Sequence, residues 1–494
     1  MRKQPKEKFY ITTAIDYANA APHIGHMLEK LQADTIARYA RAHGKRVFFL
    51  TGTDEHGQKV YKTAQQKNIP VKKFADTNSK AFKNLKKEIN LSWDDFIRTT
   101  DKKKHWPGVI KLWKALEESG DLYKRTYRGL YCAGCEAFLT DKELVDGKCP
   151  DHLREPELVE EENWFFRLSA YAKQLKQKIK TKELEIIPQS RENEILSFID
   201  QGLEDVSFSR SVDKLPWGVL VPGDPNQVMY VWADALTNYL SGVGYGRSAR
   251  EFELLWPADV QVIGKDILRF HAALWPAMLM SAKLPLPKKL FVHGHLMVEG
   301  QKMSKTIGNV ITPRELTNEF GIDAVRYYFL REISPFEDGD YSRARFIERY
   351  NADLANGLGN LVARVTGMAL KSSTPIVNDF KRMDLVVEQK IKSIQKSITE
   401  CMEVFRFNDA LVELWSLVSF ADRYVNDAQP WSDKNSPIEN EKALFNLLVL
   451  INSIGVFVEP FLPETGKKIT KNLSFKGKKV AIKSSQRLFP RIEK

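Results

Sequence analysis

Two strand–helix–strand patterns far apart in the chain constrain its fold more than any other feature. In the first, Phe9–Ile15 (FYITTAI) is a short apolar run bounded by turn residues, the pattern of a buried strand. Pro22 stands at a first helical turn, where its missing N–H costs nothing. Ile24, Met27, Leu28 and Leu31 follow at helical spacing, Gly44 closes the helix, and Val47–Leu50 (VFFL) reads as the next strand. In the second, Val260–Gly264 is a strand, Asp266–Met280 a helix that carries a proline, and Leu290–Gly294 a strand again. Strands joined through helices build a parallel sheet. The expected class is therefore α/β, with one parallel sheet split by a long insertion.

The interruption, residues 119–228, holds three of the four cysteines and several alternating aromatic stretches. After it, Thr312-Pro313-Arg314-Glu315 is a capping box, and helical patterns run from about Arg345 to Pro463. The organisation expected is a sheet domain in two halves, 1–118 and 229–344, around the insertion 119–228, followed by a helical domain over 345–494.

Composition narrows the setting. No apolar run near the roughly 20 residues of a membrane span stands out, and the basic start MRKQPKEKFY has no apolar segment behind it. With only four cysteines in 494 residues, a disulfide scaffold is excluded and a reducing, cytoplasmic setting is expected. The net charge of +12 is unevenly spread: residues 466–494 hold ten basic side chains and one acid. That end is read either as a solubilising tail or as a contact for phosphates.

Three motifs carry chemistry. Pro22-His23-Ile24-Gly25-His26 puts two histidines at i and i+3 on the first turn of a helix, where free N–H groups suit a phosphate. Gly25 lets a flat base approach the backbone. Lys302-Met303-Ser304-Lys305-Thr306 sets two lysines on a loop after the turn Glu299-Gly300, able to neutralise charge developing on a triphosphate. Cys132-x2-Cys135 followed by Cys149-x2-His152 is a pair of knuckles that can close one tetrahedral zinc site. Three thiolates and an imidazole leave no open position, so such a zinc is structural.

In this order, the first two motifs resemble the HIGH and KMSKS signatures of class I aminoacyl-tRNA synthetases, with Thr306 replacing the final serine. The whole chain, from about Phe9 to Trp431, resembles the methionyl-tRNA synthetases in their bacterial or organellar form. The resemblance implies a Rossmann-like parallel sheet split by a zinc-bearing insertion, then an α-helical bundle that binds the anticodon. It implies activation of methionine by ATP with magnesium, and transfer to the cognate tRNA. Residue by residue, it carries ATP contacts to His23, Gly25, His26, Asp266, Lys302 and Lys305, and assistance in activation to Arg210. Methionine contacts fall on Ala14, Ile15, Tyr17, Asp54, Trp232, Ala235, Tyr239, Ile267 and His271, with Asp54 on the ammonium. Aromatic and apolar walls suit a polarisable thioether. Anticodon contacts fall on Asn360, Arg364 and Trp431, which offer hydrogen bonds and an aromatic platform to unstacked bases. A monomer without membrane attachment is expected. The competing readings are a class I synthetase for another amino acid, cysteine foremost, a non-catalytic tRNA-binding paralogue, and a small-molecule adenylating ligase, which leaves the anticodon-like end unexplained. The set Trp232, Tyr239 and His271 argues against the first and the intact lysine motif against the second.

Overall fold

The computed structural model describes residues 6–132, 137–139, 144–151, 153–303, 308–372, 375–485 and 487–493. The chain forms two compact units. The first comprises Met1–Pro22, His43–Lys86 and Leu91–His293; the second comprises His23–Ala42, Lys87–Asn90 and Gly294–Lys494.

The first unit is built on a seven-stranded sheet. Asp16–Tyr17, Arg46–Asp54, Lys8–Thr13, Val260–Gly264, Lys289–His293 and Glu185–Ile187 lie side by side in that order, and Asp95–Arg98 adds to Arg46–Asp54. Every pairing is parallel. Parallel strands are covered on both faces, which is why they read as continuous apolar runs; Val260–Gly264 is buried at all five positions. The strand order reverses between Lys8–Thr13 and Val260–Gly264, paired as Ile11 with Val260 and Thr13 with Val262. The carboxyl ends of these two strands thus form the topological switch point where open α/β sheets bind ligands.

Two local results differ from the sequence expectation. The helix expected over Asp266–Met280 is broken into a 3-10 turn (Lys265–Ile267), a π-helical turn (Phe270–Leu274) and an α-helix (Trp275–Ser281). Pro276 has no N–H to give and its ring crowds the carbonyl four residues back, so the preceding turn widens. The stretch 119–228 also serves three sheets, one of them built from Ser209–Ser211, Leu220–Val221 and Asp224–Met229. Leu122–Cys132 and Glu157–Phe166 pair antiparallel from Leu122 with Phe166 to Tyr131 with Glu157, and Ala137–Leu139 and Val206–Ser207 flank them. Glu185–Ile187 instead returns to the edge of the parallel sheet, against Lys289–Phe291.

In the second unit, Leu296–Val298 and Gln301–Lys302 form a hairpin, and Gly339–Tyr341 pairs parallel with Leu296–Val298. Glu299 and Gly300 both have positive φ, 49° and 75°, the backbone that a two-residue hairpin turn requires. Helices follow. Both Pro313–Phe320 and Pro437–Val458 start at capping boxes, Thr312 with Glu315 and Ser436 with Glu439. The fully buried Arg326 ties helix Ile322–Arg331 to its neighbours: its guanidinium meets Asp34 at 2.8 Å and donates to the carbonyls of Phe461 (2.7 Å) and Ile89 (3.1 Å). Contrary to the expectation, one helix among the described residues, Pro437–Val458, is apolar and long enough to cross a membrane; 72% of its most apolar stretch is buried inside the protein, as in a bundle's central helix.

Candidate active site

At the switch point, Ala14 follows the first strand and donates its N–H to Val262 O at 2.9 Å, which fixes the chain where Ile15 and Tyr17 depart. Tyr17 meets Trp232 edge-on, with ring centroids 6.4 Å apart. Trp232 stacks on Phe270 at 4.0 Å and 7°, and His271 stands edge-on to it at 6.1 Å. The widened π turn sets Phe270 and His271 side by side on this wall. The Trp232 indole N–H is buried without a hydrogen-bond partner among the described residues. Ala235, one turn on, is buried beside it.

His271 has a defined tautomer. Its Nδ1 lies 3.0 Å from the Ile267 carbonyl, which can only accept, so Nδ1 carries the hydrogen. Nε2 then accepts from the Tyr239 hydroxyl at 2.7 Å. Tyr239 is placed by its own carbonyl, which accepts from the Tyr10 hydroxyl at 2.8 Å. The pair is a buried polar spot in an apolar wall.

Asp54 ends the strand Arg46–Asp54 and is 3% exposed. Its neighbours are fastened on all sides. Arg98 grips Glu55 with both guanidinium arms, at 2.6 and 2.7 Å, and Thr53 donates to the same carboxylate at 2.7 Å. The Glu55 N–H reaches Thr99 at 2.9 Å, and Trp217 donates to Glu55 O at 2.6 Å. Beyond it, His56 Nδ1 lies 2.6 Å from Asp234, a residue of the same helix as Trp232 and Ala235. His105 Nε2 takes the other Asp234 oxygen at 2.9 Å. Burial pushes the Asp234 carboxyl up, but the two histidines outweigh it and bring it down to about 2. The sequence reading missed Asp234 and His105. The signal available was a charge in the middle of the otherwise apolar run VWADAL.

Asp266 lies in the turn after Val260–Gly264. A Cβ on Gly264 would stand 2.6 Å from its carboxylate, so only glycine lets that side chain fold over the strand end. Arg210 is buried, donates to Ser207 Oγ at 2.8 Å and Ser209 O at 2.7 Å, and lies 4.8 Å over the Tyr230 ring.

The two nucleotide motifs fall in the second unit. The rings of His23 and His26 are 3.9 Å apart. Gly25 N–H donates to His23 Nδ1 and His23 N–H to His26 Nδ1, at 3.1 and 3.2 Å. Burial, the His23 ring and Lys30 hold His26 well below the ordinary histidine range, so it is neutral at pH 7. The motifs meet: a Cβ on Gly25 would lie 2.8 Å from His23 Cε1 and 3.3 Å from Met303 Cε. Ile24 N–H also donates to Ile311 O at 3.1 Å, just past the lysine loop. Lys302 is exposed at the hairpin end. Lys305 lies outside the described residues.

In the helical part, Asn360 is exposed at the start of helix Asn360–Lys371, and the Arg364 guanidinium lies 5.0 Å over the ring of Trp431, which is 50% exposed. Further on, Lys467, Lys468, Lys471, Asn472, Lys483 and Ser484 line a cleft of about 360 Å³, with no carboxylate in its walls among the described residues. Asn472 holds it in shape, bonded to Ser484 O and N–H at 2.8 and 3.1 Å.

Of the knuckles, Cys132 and Cys149 are described, and Cys135 and His152 lie outside the described residues. Cys132 ends a strand opposite Ala137. Cys149 follows the tight turn Val145–Lys148, and its carbonyl accepts from Leu153 N–H at 2.8 Å. Both are buried and neither forms a disulfide.

Residues 9–155 and 152–366 match the family described as class I tRNA synthetases (M), and residues 384–491 match the anticodon-binding domain of tRNA ligases. The methionine–tRNA ligase of Caldanaerobacter subterraneus is 44% identical over 475 residues, covering 95% of this chain and 74% of that one. That of Brucella suis is 41% identical over 472 residues, covering 94% and 91%. Among solved structures, the methionyl-tRNA synthetase of Mycobacterium tuberculosis in complex with methionyl-adenylate superposes with a TM-score of 0.92 at 37% identity, over 98% of this chain and 100% of that one.

Proposed function

Because this chain belongs to the methionyl-tRNA synthetase family and is an ATP-dependent methionine–tRNA ligase, we propose how its residues divide the two steps of that reaction. In the first, a methionine carboxylate oxygen attacks the α-phosphorus of ATP, the bond to the β-phosphate breaks, and pyrophosphate leaves. In the second, a hydroxyl of the tRNA's terminal adenosine attacks the adenylate carbonyl and AMP leaves. Phosphoryl chemistry of this kind needs positioning and charge stabilisation more than covalent help.

Asp54 binds the methionine ammonium. Tyr17, Trp232 and Ala235 wall the side chain with Ala14, Ile15 and Ile267, and the Tyr239–His271 pair meets the sulfur. A thioether can only accept, so the Tyr239 hydroxyl, the hydrogen carrier of that pair, is the group it competes for. His23, Gly25 and His26 receive the nucleotide, neutral His26 as a hydrogen-bonding group. Asp266 holds the ribose, and Lys302 and Lys305 follow the triphosphate. Magnesium arriving with ATP supplies further neutralisation of phosphate charge. Arg210 assists activation. Asn360, Arg364 and Trp431 read the anticodon, the guanidinium and indole forming one stacking platform.

The observation that carries the methionine assignment is the pinning of the Trp232 helix, through Asp234 and His56, to the strand end that bears Asp54. Pyrophosphate exchange across all twenty amino acids tests it: methionine alone should support exchange, and exchange with cysteine, or none dependent on an amino acid, would refute it.

We further read Cys132, Cys135, Cys149 and His152 as holding one structural zinc. Cys149 is fully buried although Val145 and Leu153, four residues to either side, are 60% and 76% exposed, and Cys132 is buried too, which supports a ligand shared by the thiols. The zinc would fix the insertion and takes no part in the reaction. A monomer working in the cytoplasm, with domain limits near 118, 228 and 344, completes the reading.

A further inference from the structure

The helix Val231–Leu236 is buried along its whole length, and Asp234 in it is 1% exposed. A carboxylate in such a place is costly unless both oxygens are satisfied. Here they are, by two histidines from distant parts of the chain. A carboxylate can only accept, so His56 donates from Nδ1 at 2.6 Å and His105 from Nε2 at 2.9 Å. His105 Nδ1 then accepts from the Ser241 hydroxyl at 2.7 Å. Trp217 and Trp106 lie against the His56 ring, at 5.4 and 6.2 Å between centroids, and help keep water from the link. The burial of Asp234 is outweighed by its histidines, which keep it ionised.

The members of this link lie next to the proposed methionine contacts. His56 is two residues past Asp54, and its N–H donates to Asp54 Oδ1 at 3.3 Å. Asp234 lies between Trp232 and Ala235. Ser241 ends the short helix Asn238–Ser241 that carries Tyr239. The strand end that bears Asp54, the helix of Trp232 and Ala235 and, through His105 and Ser241, the helix of Tyr239 are therefore tied to this one carboxylate.

We propose that Asp234, with His56 and His105, is a positioning residue for methionine: it sets the separation between the carboxylate that holds the ammonium and the aromatic wall that receives the side chain. It touches no reacting atom. The inference rests on the reading of Asp54 and Trp232 as methionine contacts. A site so gauged binds an amino acid by its length, and loosening the gauge weakens methionine binding while the nucleotide motifs, held elsewhere, keep theirs.

Steady-state pyrophosphate exchange on the full chain tests this. Asp234→Asn keeps the size but sets an amide N–H against one histidine donor. It should raise KM for methionine by about 10-fold or more and leave KM for ATP within about 2-fold. His105→Ala should do the same, and His105→Gln, which restores a donor near the Nε2 position, should recover most of the loss. The glutamine–alanine comparison also decides the matter if Asp234→Asn does not fold. An unchanged KM for methionine in folded Asp234→Asn, equal rises in both KM values, or no rescue by glutamine would overturn the proposal. Asp54→Asn and Trp232→Ala separate it from the reading beneath: if these raise KM for methionine and Asp234→Asn does not, only the positioning role falls. If they do not, both fall.

Discussion

The lysine-lined cleft allows a prediction with a number. Among the described residues its walls hold Lys467, Lys468, Lys471 and Lys483 and no carboxylate, so an RNA phosphate entering it meets a cluster of four lysines. Each phosphate neutralised by a lysine releases condensed counterions, and adds about 0.7–0.9 to the slope of log affinity against log salt. Four such contacts contribute about 3 to that slope. Raising salt from about 50 mM to about 200 mM, fourfold, should then cost the native protein about 60-fold more tRNA affinity than a variant with all four lysines changed to glutamine. Filter binding or fluorescence anisotropy with the cognate tRNA at a series of salt concentrations reads this directly. The loss should be the same for a tRNA with an altered anticodon, because phosphates carry no sequence, and methionine-dependent pyrophosphate exchange should not change. Parallel salt slopes for native and variant protein would refute the reasoning and leave the lysines as solubilising charge.

Trp431→Ala should cost about 1–3 kcal/mol of stacking, seen as roughly a 5- to 150-fold loss in kcat/KM for tRNA with exchange intact; an equal loss in both would point to misfolding instead. Elemental analysis should find one zinc per chain, reduced in Cys149→Ser, and a metal-free native protein would refute the knuckle reading. His26 is held well below the ordinary histidine range by burial, His23 and Lys30. The unfolded chain therefore takes up that proton first, at about pH 6.5, and stability should fall as the pH drops below that value. His26→Gln should flatten the dependence of the melting temperature on pH between about 7 and 5, and an unaltered dependence would refute the assignment.

How much of this was legible in the sequence depended on the range of the interactions. The parallel strands were readable because burial on both faces leaves an apolar run, as in Val260–Gly264. The capping box at Thr312 was readable because its partner, Glu315, is three residues away. The link from Asp234 was not, because its histidines lie 178 and 129 residues off, and nothing local requires them. The break at Phe270–Leu274 escaped because Pro276 inside the expected helix signals a disturbance but not its form; the packing of Phe270 on Trp232 gives the widened turn its use. The edge strand Glu185–Ile187 is three residues long, too short for any period to show. Pro437–Val458 was passed over as a long apolar helix because charge at its start and Asn452, Ser453 and Gly455 within it break the run, although the bundle buries most of it.

Met303 comes close to Gly25, and both signature motifs lie in the same folded unit as the helices that match the anticodon-binding domain, while the residues around Asp54 and Trp232 belong to the other unit. On the proposed assignment, the two signature motifs and the side-chain pocket for methionine thus lie on separate parts, with Asp266 and Arg210 on the pocket's part. A gene copy could drift in Tyr17, Trp232, Tyr239 or His271 and acquire a new amino acid without disturbing the triphosphate chemistry. The gauge at Asp234 would then be the obstacle such drift has to cross, since a longer or shorter substrate asks two distant segments to move together.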